Sequence, residues 1–218
     1  MQNNQRTNHY GRPANWFSDA SPAYLDALVA DMKELELIFR LEFGLQLFLY
    51  YGTLLGAVRN GDFIPHDFDI DMAYVSRARS AEGILRERDR IETFLSQYGR
   101  TRPSPAKGRL VINAAPDPAH GTRFFGIEIF TCYHHHGKFF GYSSYPGTLS
   151  TRAIKPFSQA TLRGVSFAAP ARPQAVLQAH YGDDWQTPKQ PKDYSEPSAR
   201  FVCFDFLYPP SDGSGSGT

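Results

Sequence analysis

From Asp67 to Val75 the chain reads Asp-Phe-Asp-Ile-Asp-Met-Ala-Tyr-Val, with acidic residues at every second position and a wholly apolar end. A period of two belongs to a strand. The change from acidic to apolar predicts that this one, over residues 68–75, runs from an exposed mouth into a core. On such a strand Asp67, Asp69 and Asp71 share a face, with successive Cα atoms on it only about 6.5–7 Å apart. Like charges that close push at least one carboxyl pKa upward unless a hard divalent cation removes the repulsion, which is why Asp-x-Asp pairs suit Mg²⁺. Phe68, Ile70 and Met72 point the other way and anchor the strand. A solvated polar face is the plainer reading of the same pattern. An EF-hand loop is not a third, because its sixth position would be Met72 rather than glycine and its twelfth Ala78 rather than glutamate.

A chain of 218 residues, 41% hydrophobic, can bury one substantial core. Lys and Arg number 23 against 22 Asp and Glu, so no overall field gathers a nucleic acid polymer or an anionic membrane. Cys132 and Cys203 are too few for a disulfide framework and point to a reducing compartment. The polar N-terminus has no signal-peptide core, and no apolar run reaches the roughly 18 residues of a membrane span, so a cytoplasmic protein is expected. Residues 1–20 read as a flexible arm with Trp16 and Phe17 able to dock, 21–210 as a single domain, and the Gly/Ser-rich 211–218 as a flexible linker tail.

Ser21-Pro22 is a helix start. Leu25, Leu28, Met32, Leu35 and Phe39 follow at helical spacing, and Gly44 offers the left-handed stop. Residues 47–51 read as a buried strand, 54–59 as a brief helix and 80–98 as a second long helix. Strand character recurs over 109–113, 123–133, 138–142 and 162–167, and a further helix spans 173–181 before Gly182. Short connections between mixed elements predict an α+β domain, a small mixed β-sheet with helices packed on it.

Between the first strand and the acidic one, Gly52-Thr53 forms a turn where backbone N–H groups and a hydroxyl can approach phosphate, with Gly56 and Arg59 shortly after. Packing glycines and a solvated arginine are the bland alternatives. The whole stretch, Tyr51-Gly-Thr-Leu-Leu-Gly-Ala-Val-Arg-Asn-Gly-Asp-Phe-Ile-Pro-His-Asp-Phe-Asp-Ile-Asp71, closely resembles the signature of the LicD and fukutin-related phosphotransferases. Residues 157–170 and Leu177-Gln-Ala-His-Tyr-Gly-Asp-Asp-Trp185 resemble the closing segment of that family, so the similarity spans about 35–190. The resemblance implies a nucleotidyltransferase fold, Mg²⁺ or Mn²⁺, a CDP-linked donor such as CDP-choline or CDP-ribitol, and a glycan or glycolipid acceptor. By position Asp69 and Asp71 match the metal pair and Asp67 the acidic residue ahead of it, while His66 stands where many members have tryptophan. The implied third carboxylate, on a neighbouring strand, falls on Glu128, the one acidic residue inside the apolar Ile127-Glu-Ile-Phe130. A solvent-facing glutamate at a sheet edge is the alternative there. Asp67 is the candidate general base.

Lys155 and Arg163 are weaker phosphate candidates, each more often a solvated cation. His134-His-His136 invites a zinc reading, but consecutive side chains on extended backbone alternate, and a polar hairpin turn fits better. Tyr181 and Trp185 suit either stacking on a base or sugar, or the core. Three functions remain: transfer of an alcohol phosphate (choline, ribitol or glycerol phosphate), transfer of NMP from an NTP, and non-catalytic binding of Mg-nucleotide.

Overall fold

The computed structural model describes residues 7, 14–97, 99–102, 104, 106–189 and 200–208. The tail at 211–218 and most of the expected arm lie outside them. Helix α1, Pro22–Ile38, starts where Ser21 Oγ accepts the Tyr24 N–H at 3.1 Å. A π-helical turn, Phe39–Phe43, prolongs it until Gly44 adopts φ 63°. Its buried stripe is Tyr24, Leu28, Met32, Leu35 and Phe39. Strand β1, Leu47–Leu49, is shorter than expected, because α2, Tyr51–Asn60, begins three residues before the predicted start. Gly52 and Thr53 therefore lie inside the first helical turn rather than in a turn before it.

Strand β2 is Ile70–Val75, so Asp67 and Asp69 sit in the loop that feeds it and only Asp71 is on the strand. Helix α3, Ala81–Ser96, is capped by Ser80 Oγ, which accepts the Gly83 N–H at 3.2 Å. Then come β3, Thr101–Arg102; β4, Arg109–Asn113; β5, Gly126–His135; β6, Lys138–Gly141; and β7, Tyr145–Ser150. Of the three histidines expected to form a hairpin turn, His134 and His135 end β5, paired with Phe139 and Lys138, and only His136 lies in the turn, with His136 and Gly137 at φ 47° and 73°. The single strand expected over 162–167 is instead a hairpin, β8 Ser158–Leu162 and β9 Val165–Ala169. Its turn uses left-handed Arg163, φ 48°, and Gly164, φ 78°. Arg163 is held there by Asp62, at 2.9 and 3.1 Å, and Asp26, at 3.0 Å, so this phosphate candidate is occupied by structural ion pairs. Helix α4, Pro173–Tyr181, ends at Gly182 as expected.

Neighbouring strands run in the order β1-β2-β5-β4-β3, with β6 and β7 continuing from the far half of β5. Among the described strands, β2 and β5 form the one parallel pair. The architecture is α+β. Helices α1 and α3 cover the face that carries Tyr74, whose ring meets Phe39 at 5.7 Å. Helices α2 and α4 cover the face of Asp71 and Phe130, where Tyr51 meets Phe130 at 4.9 Å and Tyr145 donates to the Val176 carbonyl at 3.1 Å.

Two short 3₁₀ turns close the core from outside this frame. In Phe17–Asp19, Phe17 is 2% exposed and stacks between Phe63 and Phe125, at 4.5 and 4.7 Å. In Val202–Leu207, Phe204 and Leu207 are fully buried, and the Leu207 carbonyl accepts N–H groups from Lys107 and Gly108 at 2.7 and 3.1 Å. No helix among the described residues is long and apolar enough to cross a membrane.

Candidate active site

The parallel pair positions two of the acids. Asp71 lies directly opposite Glu128 in the β2/β5 register, flanked by Ile70 opposite Ile127 and Met72 opposite Ile129. Those four apolar residues are fully buried on the other face, so a slip by one residue would turn the acids of the slipped strand into that apolar layer. Asp69, just ahead of the strand, completes the group. One carboxylate oxygen each from Asp69, Asp71 and Glu128 lie within 4.8 Å of one another.

The start of α2 holds Asp71 from both ends. Thr53 Oγ1 accepts the Asp71 N–H at 2.8 Å, the Gly52 N–H donates to Asp71 Oδ2 at 3.0 Å, and the Tyr50 N–H donates to the Asp71 carbonyl at 3.1 Å. Gly52 is demanded by space. A Cβ there would lie 2.4 Å from Asp67 Oδ2 and 3.3 Å from Asp71 Oδ2. Gly52 and Thr53, read from sequence as phosphate ligands, thus hold the acidic strand. In the loop, Asp67 Oδ1 accepts the Phe68 N–H at 3.0 Å. Its carbonyl accepts the Phe17 N–H at 2.9 Å, and the Pro65 carbonyl accepts the Ser18 N–H at 2.8 Å.

Charge in this group is only partly balanced. Burial, then the nearby charges of Asp71, Asp67 and Glu128, push the Asp69 carboxyl well above the ordinary range, with Arg109 pulling the other way. Burial pushes Asp67 up to about 6, opposed by its hydrogen bonds to Phe68 N–H and to the Asp69 carboxyl.

The remaining candidates scatter. Gly56 is buried, and a Cβ on it would lie 2.4 Å from the Asp62 carbonyl, so its bareness serves the packing of α2 on the next loop. Arg59 is about 10 Å along the helix axis from Gly52. Its Nε donates to the Gln186 carbonyl at 3.2 Å, and its charge helps burial depress the pKa of His66. Lys155 is not brought to the acids. Burial and the charge of Arg77 depress its pKa, and it in turn helps depress that of His134. Arg77 and His134 lie six residues past Asp71 and Glu128, about 20 Å along the strands. Trp185 is buried and Tyr181 packs edge-on against His180 at 4.4 Å, which matches a core role.

Arg109 escaped the sequence reading. Its Nη1 lies 2.5 Å from Glu128 Oε2, across the β4/β5 ladder. The need for a cation beside a glutamate in an apolar strand was a signal, but only the register says which cation. Tyr51 was also missed. It takes φ 32° at the first helical position, and its hydroxyl donates to the Tyr142 carbonyl at 3.1 Å and accepts N–H groups from Ser143 and Ser144 at 3.0 and 3.2 Å. Tyr142 lies beside Arg109 and Glu128, its hydroxyl pushed up to about 12 by burial first and the Tyr208 charge second.

An all-carboxylate set in which burial and then neighbouring charge push Asp69 upward fits a hard, oxygen-seeking divalent ion, and Asp69, Asp71 and Glu128 are the residues that could hold it. No curated protein matches the chain. The model of the LicD/FKTN/FKRP nucleotidyltransferase domain matches residues 44–172, more than half of the 218, and the chain belongs to that family.

Proposed function

We propose that this chain transfers an alcohol phosphate (choline, ribitol or glycerol phosphate) from a CDP-linked donor to a sugar hydroxyl of a glycan or glycolipid, with Mg²⁺ or Mn²⁺ held by Asp69, Asp71 and Glu128. Its family points to a transferase that moves phosphate-bearing groups from CDP carriers to glycans in general. The observation that carries the reading is the convergence of three carboxylate oxygens within 4.8 Å inside that family's matched segment.

Phosphoryl transfer asks the protein for positioning and charge neutralisation more than for covalent chemistry. A bound divalent ion supplies the neutralisation and lowers the pKa of the acceptor hydroxyl. The chain's own residues supply the rest. Gly52 and Thr53 fix Asp71, the β2/β5 register fixes Glu128 against it, and the loop presents Asp69. The Asp67 carboxylate, with its pKa raised to about 6, is suited to take the acceptor's proton near neutral pH.

Incubation with CDP-choline, CDP-ribitol and CDP-glycerol in Mg²⁺ tests the reading, which requires CMP release from at least one. Pyrophosphate released from an NTP instead favours NMP transfer. Tight Mg-nucleotide binding without turnover on any donor favours a binding module. An Asp67→Asn protein with full turnover removes Asp67 as the base.

A further inference from the structure

The guanidinium of Arg109 and the metal expected in this site seek the same carboxylate. Arg109 Nη1 is 2.5 Å from Glu128 Oε2, and a Glu128 oxygen lies within 4.8 Å of oxygens from Asp69 and Asp71. The Glu128 side chain is 14% exposed and that of Arg109 42%, so the arginine stands at the mouth, between solvent and the acids. Its backbone is fixed. Arg109 is laddered to Phe130, its carbonyl accepts from Nη2 of the fully buried Arg88 at 3.3 Å, and the preceding Gly108 N–H donates to Leu207. Gly108 is bare because the Tyr142 ring covers it, 2.3 Å from where a Cβ would stand. Only the outer part of the Arg109 side chain has room to move, and a planar fork of N–H donors fits a phosphate as well as a carboxylate.

We propose that Arg109 is an exchangeable counter-ion: it neutralises Glu128 while the site lacks metal, competes with the divalent ion for that carboxylate, and turns to the diphosphate of the nucleotide donor once the ion is held. This rests on the proposed transferase reading and adds a residue that couples the two ligands. A donor that draws Arg109 away from Glu128 raises metal affinity, and metal raises donor affinity by the same factor. Arg109 is a positioning residue in the first state and a donor-binding residue in the second.

The test separates competition from simple support. Mn²⁺ alone is titrated into the wild type, Arg109→Gln and Arg109→Lys, with free Mn²⁺ followed by electron paramagnetic resonance. CDP is then titrated into each protein in saturating Mn²⁺. Removing a positive charge that opposes the ion makes Arg109→Gln bind Mn²⁺ about fivefold tighter. Losing the fork makes the same variant bind CDP about tenfold weaker. Arg109→Lys, which keeps the charge without the fork, stays near wild type for Mn²⁺ and loses CDP affinity. Weaker Mn²⁺ binding in Arg109→Gln overturns the proposal, since it makes Arg109 a mere support for Glu128; unchanged CDP affinity overturns it too. If Arg109→Gln does not fold, the lysine variant decides, because equal CDP affinity there removes the exchange. A wild-type protein that binds neither Mn²⁺ nor CDP sinks the transferase reading itself, a pattern distinct from either variant result.

Discussion

The acids reach the site by two different routes. Asp71 and Glu128 stand on neighbouring strands of one parallel pair, their separation set by the ladder at about 4.8 Å between strands and locked by buried neighbours on the opposite face. Asp67 and Asp69 stand in a loop whose shape comes from contacts outside itself: the bare Gly52, the N–H groups of Phe17 and Ser18, and the Phe17 ring wedged between Phe63 and Phe125. A ladder gives a fixed distance, whereas a loop held by side contacts can be shifted by changing any of them. One half of the site is therefore built for rigidity, and the other is open to adjustment through residues that never touch a ligand.

The strongest test of this contrast is to remove one acid of each kind. Asp71→Ala and Asp69→Ala should both lower turnover by about 10³ or more, since each deletes a proposed ligand of the charge-neutralising ion. Their stabilities should move in opposite directions. Asp71→Ala strands the Gly52 N–H and should cost about 1–3 kcal/mol, while Asp69→Ala removes a like charge from metal-free protein and should raise its melting temperature. Equal thermal shifts would erase the distinction between ladder and loop.

Gly52→Ala comes next. It gains helix propensity yet forces the Asp67 carboxylate aside, so a fold that melts normally with about 10²-fold lower turnover is expected. Phe17→Ala reaches the loop from the other side. It should cost about 3–5 kcal/mol of stability and, at temperatures where the protein is still folded, weaken Mn²⁺ binding, whereas Phe17→Leu should restore most of both.

The pH dependence is smaller and isolates the loop. Asp67 has a folded pKa of about 6 against an ordinary 3.8, so the folded form holds its proton more tightly than the unfolded form does. The metal-free protein should therefore lose stability as pH rises from about 4 to 6 and change little above that from this group. A metal ion needs its carboxylates charged, and Asp69 is held well above the ordinary range, so the thermal shift produced by Mg²⁺ should grow with pH and go on growing past the window of Asp67. The smallest effect belongs to Lys155→Ala. At the far end of the sheet it should leave turnover within about twofold, and a larger loss would mean that the donor reaches much further than the acids do.

Much of this frame could be read from residues whose signals are local. Ser21 and Pro22 start α1, Gly44 stops it, Ser80 caps α3, and Gly182 ends α4, each by chemistry contained within a turn. The reading failed where distant contacts decide. The alternation through 67–71 looks like strand, but the loop is drawn off the ladder by the hydrogen bonds from Phe17 and Ser18. Arg163 gives no turn signal because its left-handed backbone is held by Asp26 and Asp62. The entry of α2 at Tyr51 depends on a hydroxyl bonded 91 and 92 residues away. Asp69 and Asp71 could be named from one short stretch, and Glu128, once the family resemblance implied a third carboxylate, from its isolation in an apolar strand, but the pairing with Arg109 exists only in the register.

The recognisable family segment, 44–172, is smaller than the body that must form together. Helix α1 precedes it, and the turn that buries Phe204 and Leu207 follows it. A fragment cut at the family's edges would lay open Tyr74 and Phe125 on one flank and Tyr142 and Gly108 on another, and would be expected to clump before it could be assayed. Anyone transplanting this catalytic unit into another protein would have to carry both flanks with it.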